Sequence, residues 1–346
     1  MEKVAQRNLS TIVQNFSPAW FASVMGTGAL ALACNAYSGF LPFLKPLSFI
    51  LFYFNIIWAF VLFIPWVLRW IFYPNRALSD LNHPITTQFY ATLGIGFLVI
   101  GAGEISLLHN AKAGFVIWFA GALLTISFAI LIPLILFEGR HVQIDHINPA
   151  WFIPPVGLIV IPVGGALLLP YFSGLTWELL LALNYFAWGA GFFLWLSLLA
   201  LTFYRFILHH PLPSNLIPTF WINLGPIGAG TVSLLNLIKN TTFLTSKETF
   251  GIMGLILWGF GIWWVLIAGI VTILYIKRAN LPFALSWWSF TFPLGAYVLA
   301  SHSLANFFNL SLVDDFGYIL FWLLVIFWCL TFFNSLRGIY NRKLFS

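Results

Sequence analysis

The side chains able to do chemistry are few, and their spacing does not assemble a catalytic site. His141, Asp145 and His146 share one loop in a His-x3-Asp-His spacing that brings a metal to mind. No third ligand carried on a helix completes the set, and a solvated loop is the plainer reading. His209-His210-Pro211-Leu212-Pro213 reads as a turn, its prolines stopping the helix before it. Cys34 and Cys329 have neither metal nor redox spacing and read as packing residues. No Gly-rich phosphate loop, serine triad or Cys-His pair stands in a fitting context, so neither an enzyme nor a cofactor is expected. Two ionisable residues fall within apolar stretches, Glu104 and His302, and such residues are functional candidates by default. Both stand near the outer end of their segment, within reach of headgroups or water.

The elements that must position these residues are membrane spans. Of 346 residues, 61% are apolar and 7% charged, which excludes an ordinary soluble domain. A span needs roughly 20 mostly apolar residues, and ten stretches qualify, at about 17–37, 46–72, 84–104, 113–137, 149–170, 176–206, 217–238, 249–276, 281–306 and 316–336. The expected organisation is a cytoplasmic segment over 1–16, one ten-helix unit over 17–336 and a cytoplasmic tail over 337–346. The connections are too short for a soluble catalytic or ATP-binding module, and the polar start shows no removable signal peptide.

Lysine and arginine set the orientation. Lys3, Arg7, Arg69, Arg76, Arg140, Arg205, Lys277, Arg278, Arg337, Arg342 and Lys343 fall on the side of the termini, against Lys45, Lys112, Lys239 and Lys247 opposite. The positive-inside rule puts both termini in the cytoplasm, so a plasma-membrane location is expected. This asymmetry also explains the net charge of +6 without invoking nucleic acid as a partner.

The chain repeats. Pro18, Pro84, Pro149, Pro218 and Pro282 open the odd-numbered spans at intervals of 66, 65, 69 and 64 residues. Each interval is one helical hairpin, which predicts five tandem units in parallel. Odd spans are rich in glycine and proline, as in Gly225-Pro226-Ile227-Gly228-Ala229-Gly230, whereas even spans carry bulky runs such as Leu51 to Trp70. Small residues favour close packing around an axis, so five odd helices are expected inside and five even ones outside. Pro293 reads as lying at the centre of the ninth span, where it would kink or open the helix. Backbone freed there must face protein or a water-filled space.

Pro18-Ala19-Trp20-Phe21-Ala22-Ser23-Val24-Met25-Gly26-Thr27-Gly28 and Leu285-Ser286-Trp287-Trp288-Ser289-Phe290-Thr291-Phe292-Pro293 resemble the tellurite-resistance/dicarboxylate transporter family. That family includes slow-type anion channels of plants, tellurite-resistance channels of bacteria, and malate permeases and sulfite exporters of fungi. The resemblance covers almost the whole chain, the ten spans and fivefold repeat included. It implies a homotrimer in which each subunit has its own pore, walled by the odd helices and blocked by a phenylalanine matching Phe292. Given Phe292, Ser289, Ala296 and Ser303 recur on its helix face, and Ser286 fits that face less well. Gly26, Gly94, Pro162, Pro226 and Pro293 are the expected small or kinked positions along the same pore.

No Lys, Arg, Asp or Glu falls in the middle of an odd span. Burying a bare anion carries an idealised cost on the order of 20 kcal/mol, and a helix end returns only about 0.3 to 2 kcal/mol. A permeating anion must therefore stay largely hydrated. The expected function is passage of small anions through a phenylalanine-gated pore. The alternative is a proton-coupled C4-dicarboxylate (malate) carrier, with Glu104 or His302 as the coupling group, or a sulfite or tellurite exporter.

Overall fold

The computed structural model describes residues 9–139, 142–278, 281–341 and 343–345. Lys3, Arg7, Arg140, His141 and Arg342, which entered the charge and metal readings, lie outside the described residues, as does Asn280. Among the described residues the chain is helical throughout, with no strand, and nine helices are long and apolar enough to cross a membrane.

Two short helices, α1 (Leu9–Gln14) and α4 (Pro74–Asn82), stand outside the repeat. Four of the odd segments share one construction, a short 3-10 stretch running directly into an α-helix. Pro18–Trp20 leads into α2 (Phe21–Ala36), Thr86–Tyr90 into α5 (Ala91–Ser106), Pro149–Phe152 into α7 (Ile153–Leu168) and Ser214–Asn223 into α9 (Leu224–Asn240). Proline suits these lead-ins because its fixed φ starts a turn and its missing N–H has no partner to lose there. Ser17 and Asn148 cap two of them, their side chains accepting from the backbone N–H of Ala19 at 3.2 Å and of Ala150 at 2.9 Å.

The ninth segment departs from expectation. It is not one helix kinked at its centre. A 3-10 stretch Leu285–Phe290 ends at Thr291, and α11 (Phe292–Phe308) begins anew with Pro293 in its first turn. The proline marks a helix start, where its ring displaces no intrahelical bond. At 17 residues α11 is shorter than the nine spans.

The even segments are long helices: α3 (Leu44–Phe72), α6 (Ala111–Glu138), α8 (Gly174–Leu208), α10 (Lys247–Arg278) and α12 (Ser311–Tyr340). Burial sorts the two sets. The first four odd spans are 83–89% buried and the five even ones 28–33%, the division that small against bulky side chains predicts. Contacts run α2 to α5, α5 to α7, α7 to α9, α9 to α11 and α11 back to α2. Each long helix lies outside its own partner and leans on the next: α3 on α2 and α5, α6 on α5 and α7, α8 on α7 and α9, α10 on α9 and α11, α12 on α11 and α2.

Tryptophan joins the two layers. The outer helices donate indole N–H bonds inward: Trp58 to Ser23 Oγ at 2.8 Å, Trp118 to the Ile161 carbonyl at 2.8 Å, Trp188 to the Gly230 carbonyl at 3.0 Å, Trp258 to Ser301 Oγ at 2.9 Å and Trp328 to Thr27 Oγ1 at 3.0 Å. A ring system that is apolar in body and polar at one edge suits an interior where every polar group must be met by protein.

Described residues near the two ends of the sequence meet. Arg69, in the last turn of α3, bonds the Gln14 and Phe16 carbonyls and pairs with Asp80 at 2.6 Å. Phe345 stacks on Trp20 with centroids 5.9 Å apart, and its carbonyl accepts from Asn15 Nδ2 at 2.9 Å. Arg69 is buried, so Arg69→Met strands Asp80 and two carbonyls together. The expected loss is about 2–3 kcal/mol, read as a lowered melting midpoint in detergent; an unchanged midpoint would show that the staple carries no stability.

Candidate functional site

Two cavities lie end to end inside the layer of odd helices. The first, with room for about one water molecule, is lined by Ala22 and Met25, Phe89 and Thr92, Ile153 and Val156, Ile222 and Gly225, and Trp288, Ser289, Phe292 and Pro293. The second, equally small, is lined by Ala29 and Leu32, Leu98, Val99 and Ala102, Val160 and Val163, Ala229 and Val232, and Phe292, Ala296 and Leu299. Every odd segment contributes to both. Phe292, 6% exposed, is the one described residue common to the two linings.

The first cavity is ringed by helix beginnings, with Ala22, Thr92, Ile153, Gly225 and Phe292 each first or second in its α-helix. The second is ringed by the middles of the same helices. Four residues beyond the last lining positions come Ala36, Ser106, Leu167, Asn236 and Ser303, all part-exposed, so the five rows emerge from the buried interior together. Among the described residues no Lys, Arg, Asp, Glu or His lines either cavity. Thr92 Oγ1 is engaged with the Pro18 and Phe89 carbonyls at 3.0 and 2.6 Å. The Ser289 hydroxyl, on a residue 7% exposed, has no hydrogen-bond partner among the described residues.

Of the residues singled out in the sequence, the cavities bring together Phe292, Ser289, Pro293 and Ala296, and Ser303 continues their row. The others face neighbouring helices. A Cβ on Gly26 would lie 2.8 Å from Thr291 Cβ, and one on Gly94 2.9 Å from the backbone N of Thr125. Pro162 is buried between the lining residues Val160 and Val163 but off their row, and Pro226 is buried beside Gly225. Ser286 donates to the Asn215 carbonyl at 2.5 Å. The lining is instead a spaced apolar row, as in Ala22, Met25, Ala29 and Leu32 or Ile153, Val156, Val160 and Val163. The signal for it was the 3-4-3 spacing counted from each helix start.

Both ionisable candidates stand off the lining faces. At 100° per residue Glu104 lies about 140 to 240° round α5 from Leu98, Val99 and Ala102; it is 8% exposed, and no side-chain partner reaches it among the described residues. His302 lies about 60 to 120° off the α11 row and is held by Asp314 Oδ1 at 2.9 Å and Asn306 Nδ2 at 2.9 Å. Asp145 pairs with His209 Nδ1 at 2.8 Å, and His146 Nδ1 accepts from the Gln143 N–H at 3.1 Å. Both therefore brace the loop.

A family described as voltage-dependent anion channel matches residues 15–336. The chain belongs to that family. An uncharacterized transporter of Methanocaldococcus jannaschii is 50% identical over 97% of this chain and 96% of its own length. A sulfite efflux pump of Arthroderma otae is 26% identical over 100% of this chain and 96% of its own. A malic acid transport protein of Schizosaccharomyces pombe is 22% identical over 95% and 80%. The family's description and the names of these relatives are those of a channel and of transporters.

Proposed function

We propose that the chain is an anion channel in which ten helices, paired as five hairpins in pseudo-fivefold order over residues 17–336, surround one passage that the Phe292 ring closes. The observation that carries this reading is the pair of cavities touched by all five odd segments and sharing Phe292 alone. Anion preference is supported by the five helix beginnings around the first cavity. Each supplies a partial positive charge of about half a unit, and the free Ser289 hydroxyl is a donor among them. Those terms cannot replace a full hydration shell, so the conducting state is wider than the closed one and discriminates modestly among small anions. The same reading takes the channel as a plasma-membrane homotrimer with both termini in the cytoplasm, supported by the excess of lysine and arginine on that side.

The names of the relatives supply the substrates to try first, sulfite among inorganic anions and malate among dicarboxylates. The rival carrier needs a titratable group on the route, and neither Glu104 nor His302 faces the cavities. Glu104→Gln and His302→Gln are therefore expected to leave conductance within about twofold, a barrier change well under 1.4 kcal/mol. Ion-substitution recording in planar bilayers tests the reading. The current should reverse at the anion equilibrium potential and ignore an imposed pH gradient; reversal that follows the proton gradient would establish the carrier instead.

A further inference from the structure

The rows that line the two cavities run on beyond them, and one of them carries a charge. On α9 the lining residues Gly225, Ala229 and Val232 are followed by Asn236 and Lys239. At 100° per residue Lys239 lies about 20° round the helix from Val232 and about 40° from Gly225, so it shares their face. The other four rows continue through Ala36, Ser106, Leu167 and Ser303, all uncharged. Among the described residues Lys239 is the one Lys or Arg in the five odd α-helices.

The remaining charge at this end, the one away from the termini, is held off the axis. Lys45, Lys112 and Lys247 stand on even helices, as do Glu178, Glu248, Asp314 and Asp315, and Glu104 of α5 is turned from the axis. Lys239 is exposed. Its Nζ stands 5.7 Å from the ring centroid of Phe307 on α11, and no acid pairs with it among the described residues. An aromatic face holds an ammonium without neutralising it. Asn236, one turn nearer the cavities, donates to the Val163 carbonyl at 2.9 Å and so ties this stretch of α9 to the α7 row.

We infer that Lys239 sets anion entry at this mouth, its unpaired ammonium concentrating small anions where the passage opens. The inference rests on the passage proposed above and adds the residue that collects its substrate. Lysine and arginine serve anion pores in this way, because a fixed charge raises the concentration of counter-ions around it to a degree that salt controls. The ammonium is exposed, so a hydrated anion meets it with its water shell intact and pays no dehydration cost there. A unit charge about 6 Å away in water changes the local anion concentration roughly threefold. The effect is directional, favouring anions that arrive from this side over those that leave by it.

The test records chloride currents from the full chain carrying Phe292→Ala in planar bilayers. Adding Lys239→Gln should cut chloride flux entering from the side away from the termini about threefold at low salt, and should lower the opposite flux less. The loss should vanish at about 1 M salt, where the Debye length falls to about 3 Å. Lys239→Arg should keep the full flux, and Lys112→Gln, a lysine of the same end on α6, should change nothing. With Cys34 and Cys329 replaced, Lys239→Cys should match Lys239→Gln until an aminoethyl methanethiosulfonate puts an ammonium back and restores the flux; the sulfonatoethyl reagent should lower it further. Flux indifferent to Lys239→Gln at low salt would overturn the assignment and leave the passage standing. So would a loss that persists at about 1 M salt and that neither arginine nor the aminoethyl group repairs. Absence of any chloride current with Phe292→Ala alone would remove the passage, and this role with it.

Discussion

Phe292→Ala raises anion conductance in reconstituted bilayers by at least about tenfold, the factor that 1.4 kcal/mol of barrier gives. Among the described residues Phe292 is the one that lines both cavities. Trimming it to alanine removes the side chain the two linings share. An apolar constriction of this kind blocks ions by excluding the water they carry, so trimming the constriction acts on hydration and not on a binding charge. Burial of Phe292 adds to stability, but the neighbouring space limits the new void, and the cost should fall at or below the low end of the usual 3–5 kcal/mol. Phe292→Trp, which keeps the plug, should leave the protein closed. An unchanged current in Phe292→Ala would remove the gate assignment.

Gly228→Val prevents assembly of the fold. A Cβ on Gly228 would run into the backbone N of Tyr297 and lie 2.5 Å from the carbonyl carbon of Ala296 and 2.7 Å from its oxygen. The obstruction is main chain of α11, which no rotamer change relieves. Tyr297 cannot give way, being fully buried with its hydroxyl donating to the Trp258 carbonyl at 2.6 Å. Forcing α9 from α11 would open the closed series of contacts among the odd helices. A loss of about 4 kcal/mol or more is expected, seen as aggregated protein or a melting midpoint lowered by roughly 10 °C. Gly259→Ala is the control: no atom lies within 4 Å of its Cβ, and its midpoint should not move. A monodisperse Gly228→Val protein with an unchanged midpoint would contradict the close approach of these helices.

Hydropathy located nine of the ten expected spans among the described residues, because hydrocarbon thickness fixes their length, and the proline spacing marked where the odd segments begin. The sorting of helices into inner and outer sets was also legible, since glycine and bulky aromatics cannot exchange places between a close helix contact and a lipid face. The break before Phe292 was not. A proline at a helix centre and one in a first turn give the same local signal, and the choice depends on whether the chain before it is 3-10 or α. The lining residues were hidden for a related reason. Val156, Val160 and Val163 have the composition of any core row, and only the direction of the central axis tells them apart. Gly26 and Gly94, expected along the pore, stand where neighbouring segments come close, Gly26 against Thr291 and Gly94 against Thr125. Glu104 drew notice as an acid within a span, but its bearing on function depends on helix phase, and that phase turns it from the axis.

The most direct test is the reach of a charged, membrane-impermeant thiol reagent to Ser289→Cys and Ala296→Cys, each in a background with Cys34 and Cys329 replaced, applied to either face of an oriented bilayer. A two-chamber passage closed at Phe292 predicts that the thiol introduced by Ser289→Cys reacts only from the face bearing the termini, and that introduced by Ala296→Cys only from the opposite face. Adding Phe292→Ala should let both react from both sides. Reaction of both thiols from one face while Phe292 is intact, or of neither once it is removed, would contradict a passage closed by that ring.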